Sequence, residues 1–312
     1  MRYQEYVKAT NDIISQYSIL LTVRQIFYRL VSNGFIQNTI NSYKLFDRMI
    51  TRGRERGYID PSNIIDRARQ TIGGDYGYVS VEDFIRSKIS ELEDTERYTR
   101  RIWDDQPQYV EVWVEKDALA TLFSTIADGY RVVTYPSRGY SSYTKVYEAI
   151  NKRFSMYSDR PITILHFADH DPSGLNMTED IQSRLYRYGS HARVKRIALT
   201  YTQVRQFGLE PMPTKISDSR WREYSSQYGN QCWELDAIPP DELQNIIRNA
   251  ITAHIDTSKW NRTFEEIQKE KQNLQTRFNS KEVTLLINKL AVLLNGNSKN
   301  AGSSGRNPKP RS

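Results

Sequence analysis

Three observations on this 312-residue chain predict an α/β fold, with an N-terminal helical module of winged-helix type, a Rossmann-like and mostly parallel sheet, and C-terminal helices. Residues 109–200 alternate short β-branched runs with helical stretches, the pattern of parallel strands joined by crossover helices. Residues 3–56 hold three short helical segments separated by tight turns, which suits a helix-turn-helix or winged helix. Residues 240–255 and 263–293 read as further helix. The expected domains are a winged-helix DNA-binding domain over 1–80, a linker over 81–105 and a sheet domain over 106–258. C-terminal helices over 259–294 and a disordered basic tail over 295–312 complete the chain.

The elements follow in order. A first helix is expected over 3–16. A second begins at Thr22, where Gln25 completes a capping box, and stops near Asn33-Gly34. A third runs from about Asn41 to Arg56, ended by Gly57, and Asp60-Pro61 reads as a cap with a first-turn proline. Strands are expected at 109–114, 131–135, 162–168 and 193–200, with helices at 116–127, 143–154 and 175–187 between them.

The charge balance narrows the partners. A net charge of +7 favours an anionic one. Lys299, Arg306, Lys309 and Arg311 lie in an acid-free tail, and without these four the rest carries +3. Residues 1–80 hold 11 Lys and Arg against 7 Asp and Glu, so the N-terminal module keeps its own basic surplus. Cys232 is the single cysteine, which excludes an internal disulfide and suits a reducing compartment. There is no signal-peptide pattern and no apolar run near the ~20 residues that span a bilayer. The expectation is a cytoplasmic, DNA-associated protein.

Chemistry-bearing residues cluster at strand ends. Glu115 closes the run Val110 to Val114, and Asp169 and Asp171 close the run Ile162 to Ala168. Ligands of open α/β sheets bind at that end, and three carboxylates with few other donors suit a hard cation such as Mg²⁺. Asp169, Asp171, Ser173, Gly174 and Asp180 also fit EF-hand loop positions 1, 3, 5, 6 and 12, but the β-branched flank "ITILHFA" opposes the helix that motif needs. Glu234 and Asp236 could join the site or cap an edge strand, and the capping reading is favoured. The four histidines lack zinc spacing; His170 sits between the two aspartates and is left to touch substrate rather than metal.

On the second helix, Val23, Ile26, Phe27, Leu30 and Val31 define a core face. Tyr28 falls about 130° from its centre at roughly 100° per residue, so it is expected to face away from the core, with Arg24 one turn earlier. A surface contact and a phenol nucleophile both fit that placement. Lys44, Arg48, Arg52 and Arg56 recur every four residues on the third helix as an acid-free stripe, expected to meet DNA phosphates.

These segments resemble a known family. "VEKDAL" (114–119), "SRGYSS" (137–142) and "DHDPSG" (169–174) are similar to the Toprim domain of topoisomerase VI A subunits and the related meiotic double-strand-break proteins. "VRQIFYRLV" (23–31) resembles their tyrosine-bearing winged helix. The resemblance covers roughly residues 20–260. It implies that Tyr28 attacks a DNA phosphodiester to form a 5′-phosphotyrosyl link, assisted by Arg24, with Glu115, Asp169 and Asp171 holding Mg²⁺. Lys116 and Arg138, within the same motifs, join the residues expected to contact DNA. It also implies a homodimer in which each site combines the tyrosine of one copy with the metal site of the other. The chain departs from the family in its short length and in lacking proline after Tyr140, and it shows no nucleotide-binding P-loop. It looks like a compact stand-alone A-type protein of the kind found on plasmids and in viruses. Strand passage would then need a separate ATPase B-type subunit. A hydrolytic Toprim nuclease and a non-catalytic DNA-binding protein are the alternatives.

Overall fold

The computed structural model describes residues 3–65, 77–137 and 143–296. In chain order the N-terminal elements are α1 (Tyr3–Ile14), β1 (Leu21–Thr22), α2 (Val23–Ser32), α3 (Ile40–Glu55) and β2 (Ile64–Ile65), followed by α4 (Val81–Glu93). The sheet region holds β3 (Tyr109–Val114), α5 (Asp117–Asp128), β4 (Val133–Pro136), α6 (Tyr143–Glu148), β5 (Ile162–Phe167), α7 (Pro172–Arg187) and β6 (Arg193–Ala198). Then come α8 (Tyr201–Gln206), β7 (Met212–Pro213), α9 (Trp221–Tyr228), β8 (Gln231–Cys232), α10 (Pro240–Thr252), α11 (Thr257–Phe278) and α12 (Lys281–Gly296).

The chain forms two compact units, one of residues 1–69 and 106–256, the other of 70–105 and 257–312. In the first, strands β4-β3-β5-β6 form a mixed α/β layer in which every pairing is parallel. The chain leaves β3 for β4 on one side and reaches β5 on the other. The β3–β5 junction is therefore a topological switch point, where a crevice opens at the carboxyl ends of the strands. Val110, Val112 and Val114 on one face and Glu111 and Trp113 on the other are fully buried, so β3 is covered on both faces as a central parallel strand must be. Its one charge, Glu111, is fully buried but accepts from Arg153, Tyr109 Oη and Trp113 Nε1.

The N-terminal helices surround a core of Ile13, Ile26, Phe27, Leu30, Phe46 and Ile50. The Thr22–Gln25 capping box forms at the start of α2, and Asp60 caps the 3-10 turn Pro61–Asn63. Among the described residues no wing hairpin follows α3; β1 and β2 pair in parallel over two residues each. In the second unit, α12 packs on α4, and the stretch read as a linker is tied to α11 by Thr95–Gln275, Tyr98–Glu270 and Arg100–Glu266 contacts. The helix expected over 263–293 is two helices, because Ser280 turns the chain and caps α12 through Val283 N–H. The helix expected over 143–154 changes to a π turn at Ala149 and a 3-10 turn at Phe154, and the strand expected from 131 starts at Val133, after Arg131 turns the chain with φ 53°. No helix among the described residues is long and apolar enough to cross a membrane.

Truncating Glu111 to alanine leaves Arg153 without its partner inside the sheet layer. The expected cost is about 3 kcal/mol, the low end for a broken buried pair because Arg153 keeps some solvent contact. Urea unfolding of Glu111→Ala checks it, and a loss below about 1 kcal/mol would contradict the assigned role.

Fully buried His166 bonds Thr178 Oγ1 through Nδ1, and burial, helped by nearby Arg196, pushes it down to about 3. An unfolded histidine titrates near 6.5, so the unfolded chain takes up the proton first. The stability this neutral ring contributes is complete above pH 6.5 and is lost progressively as pH falls toward 3, by about 1.4 kcal/mol per unit. The stability advantage of wild type over His166→Gln, measured by urea unfolding from pH 7.5 to 5, should shrink accordingly. A pH-independent difference would show that His166 is not the group responsible.

Candidate functional site

The site grows from the end of β5. Beyond Phe167 the chain turns through Ala168 and Asp169 into α7, whose N-cap is Asp171. Asp171 Oδ1 accepts from Gly174 N–H at 2.6 Å and Ser173 Oγ at 2.9 Å, so the turn closes on itself. Gly174 is required by close approach: a Cβ there would lie 2.2 Å from the Asp169 carbonyl oxygen. Arg196 locks the same turn. Its guanidinium donates to the carbonyls of Ala168, Asp169, Gly174 and Leu199 and to Thr178 Oγ1, which uses all five of its N–H groups. Glu115, one residue past β3, accepts from Asp169 N–H at 3.2 Å, which ties the two strand ends together.

A second segment covers this end. His170 and Trp233 form an isolated antiparallel bridge, with N–H···O distances of 2.8 and 3.0 Å. The bridge delivers Glu234 and Asp236, on either side of Leu235, to the strand ends. Lys116 Nζ lies 3.0 Å from each of Asp169 Oδ1, Glu234 Oε2 and Asp236 Oδ2. Arg24 of α2 pairs with the same Glu234 Oε2 and stacks over the Tyr43 ring at 4.6 Å. Of the two readings of Glu234 and Asp236, the structure gives the one that was not favoured: both join the acidic cluster. The signal for it was two acids within the apolar stretch Trp233–Ile238; the bridge to His170 has no local signature.

The electrostatics differ across this cluster. Burial pushes Asp169 up to about 7, reinforced by Glu234 and Glu115 and opposed by Lys116. Burial also opposes ionisation of Glu234, but two cations, Lys116 and Arg24, overcome it and hold that carboxyl down at about 2. Glu115 is raised by burial and by Asp171. Five carboxylates therefore face three cations, Arg24, Lys116 and Arg196, and full ionisation leaves two negative charges uncompensated.

Tyr28 is where sequence and structure part. It is 3 % exposed, not solvent-facing. The helical wheel counts only the periodicity of α2, whereas the 235–237 turn packs on the far side of that helix, anchored by Arg29 Nη2 to the Ala237 carbonyl at 2.6 Å. Tyr28 Oη donates to Met212 Sδ at 3.3 Å and borders a cavity of about 200 Å³ with Arg24, Tyr43, Lys215 and Glu234. Burial raises its phenol above the ordinary range. Arg24 does lie beside it, as expected.

Lys116, expected to contact DNA, is ion-paired to Asp169, Glu234 and Asp236. His170 is 2 % exposed, bonded to Tyr224 Oη and ringed by aromatic side chains, which removes it from substrate. Lys44, Arg48, Arg52 and Arg56 do form an exposed stripe, with Arg52 and Arg56 over the Tyr3 ring. Arg138 and most of "SRGYSS" lie outside the described residues. Among the described residues, no three His, Cys, Asp or Glu side chains are arranged to hold a metal ion. The donor chemistry nevertheless fits Mg²⁺, which commonly takes one or two carboxylates and completes its shell with water and phosphate. Glu115 and Asp171 are the two carboxylates not paired to Lys116; Asp169 is bound to it and to Leu235 N–H at 2.7 Å.

No protein-family model matches this chain, and no curated protein matches it.

Gly174→Ala should force the α7 turn away from the Asp169 carbonyl. Overpacking of this kind costs about 1–3 kcal/mol. The midpoint of thermal unfolding should fall, and an unchanged midpoint would show that the turn yields without strain.

Proposed function

We propose that this chain is a divalent-cation-dependent DNA-cleaving protein of the topoisomerase VI A type, with a winged-helix-type N-terminal module and a Toprim-type sheet. The observation that carries this reading is one charge network, Arg24–Glu234–Lys116–Asp169, which joins the tyrosine-bearing helix to the acidic strand ends within a single compact unit. The two motifs are separated by more than eighty residues in sequence, and a shared phosphodiester substrate is the chemistry that unites a phenol, an arginine and a metal-binding carboxylate set.

In this reading the Lys44–Arg56 stripe holds the DNA backbone and Arg24 faces the scissile phosphate. The Tyr28 oxygen bonds to phosphorus as the bond from phosphorus to the 3′ oxygen breaks. The phenol loses one proton and the departing 3′ oxygen gains one, so the products are a 5′-phosphotyrosyl link and a free 3′ hydroxyl. Glu115 and Asp171, with Asp169, would hold Mg²⁺, whose bound charge would stabilise the developing phosphorane. Tyr28 must first be uncovered, which requires the Arg24–Glu234 pair to part. Two copies, one per strand, would give a double-strand break, and strand passage would call on a separate ATPase subunit.

Burial of Tyr28 specifically favours a second reading, hydrolysis by metal-activated water with the tyrosine as a core residue. Denaturing-gel detection of protein–DNA adducts on supercoiled plasmid with Mg²⁺ separates the two. Covalent adduct in wild type and none in Tyr28→Phe is the expected result. Cleavage without adduct, equal in both proteins and absent in Asp171→Asn, would replace transesterification with hydrolysis.

A further inference from the structure

We infer that the Lys116 ammonium is a resident cation of the acidic site that exchanges with the divalent ion, so that metal binding and Lys116 release are one coupled step. The inference rests on the reading that Glu115, Asp169 and Asp171 serve a divalent cation, and it assigns Lys116, Glu234 and Asp236 a role toward that cation. These three are positioning residues, because they act on the metal ligand Asp169 rather than on substrate.

The geometry supplies four reasons. Three carboxylate oxygens lie 3.0 Å from Nζ, Glu234 Oε2 and Asp236 Oδ2 as hydrogen-bond acceptors and Asp169 Oδ1 as an ion pair, so a cation already occupies the acidic cluster next to Glu115 and Asp171. Asp169, the ligand that a metal would share with Glu115 and Asp171, is held by this ammonium instead. The second reason is a vacancy in hydrogen bonding: Asp236 is 2 % exposed, and its Oδ1 has no partner. A buried carboxylate oxygen left bare is costly, which marks this arrangement as one of two rather than a fully satisfied end state. Third, five carboxylates against Arg24, Lys116 and Arg196 leave two negative charges, and exchange of Lys116 for a divalent ion would lower that deficit to one. Fourth, there is room for release. Lys116 borders a cavity of about 360 Å³ together with Thr22, Arg24, Tyr43, Asp47 and Asp236. A lysine turned into it leaves Asp169 for the metal and brings a second cation beside Arg24, on the side where a phosphate would lie.

Competition of this kind makes an opposite prediction from a simple supporting role. If Lys116 merely braces the ligands, its loss weakens metal binding. If it competes, its loss strengthens binding. Mn²⁺ binding to the full chain, followed by electron paramagnetic resonance and by titration calorimetry, reads the difference directly without DNA or turnover. Lys116→Met should bind Mn²⁺ at least tenfold more tightly than wild type, and Lys116→Arg, which keeps the cation, should not. Asp236→Asn removes one of the three holds on Lys116 at constant shape, so it should tighten Mn²⁺ severalfold. It also keeps the test alive if Lys116→Met does not fold, which circular dichroism would reveal. Mn²⁺ affinity unchanged or weakened in both Lys116→Met and Asp236→Asn would overturn the exchange, and this remains true if wild-type binding is abolished by Glu115→Gln. Mn²⁺ bound by none of these proteins would instead remove the divalent-cation reading itself, and the exchange with it.

Discussion

Lys116 is the interaction on which the rest of the site depends. Without a cation at that point, Asp169, Glu234 and Asp236 would face one another across a few ångströms in a place that water barely reaches. Two like charges 4 Å apart repel by about 4 kcal/mol even at an effective dielectric of 20. The ammonium turns that repulsion into a knot between three parts of the chain: the end of β3, the end of β5 and the 234–236 segment. Arg24 extends the knot to α2 through Glu234. The N-terminal helices and the sheet of the first unit are thereby coupled through charge as well as through the α2 packing on the 235–237 turn.

The placement of these groups is a consequence of parallel-sheet topology. All β-carbonyl ends point the same way, and the chain must leave each strand there to enter a helix. Glu115 follows β3 with its N–H still bonded to the Phe167 carbonyl at 2.8 Å, and Asp169 lies two residues past the end of the neighbouring β5. Such residues are held by backbone that is rigid on one side and irregular on the other. Arg196 removes most of the remaining freedom by capping four carbonyls with one side chain. Rigid backbone with crowded carboxylates is a preorganised cation site, whichever cation fills it.

Much of this was legible in the sequence because it is local. The β-branched runs mark the strands, Thr22 with Gln25 marks the start of α2, and Asp171 with Pro172 and Gly174 marks the α7 turn. The strand-end position of Glu115, Asp169 and Asp171 follows from those runs alone. What escaped is set by long-range pairing. The His170–Trp233 bridge joins segments sixty residues apart and carries Glu234 and Asp236 in with it. Tyr28 was misread for the same reason. A helical wheel describes one neighbour per helix, and α2 has two, with Met212 and Ala237 closing the side that the wheel leaves open. Arg196 gave no motif, since its partners are backbone carbonyls.

The buried tyrosine also constrains any mechanism that employs it. Desolvation raises the free energy of the phenolate, and the neighbouring Glu234 and Asp236 raise it further, while Lys116 and Arg24 oppose them. Reactivity therefore requires the carboxylates to be neutralised or the cations to turn toward the phenol. On the proposed metal-dependent reading, a divalent ion held by Asp169 would do both at once, because Lys116 would be released and one of the charges balanced against Arg24 and Glu234 would be neutralised. A DNA phosphate would in that case compete with Glu234 for Arg24, whose pair with Glu234 borders the Tyr28 cavity. Under that proposal the order of events would be cation first, phosphate second and tyrosine last.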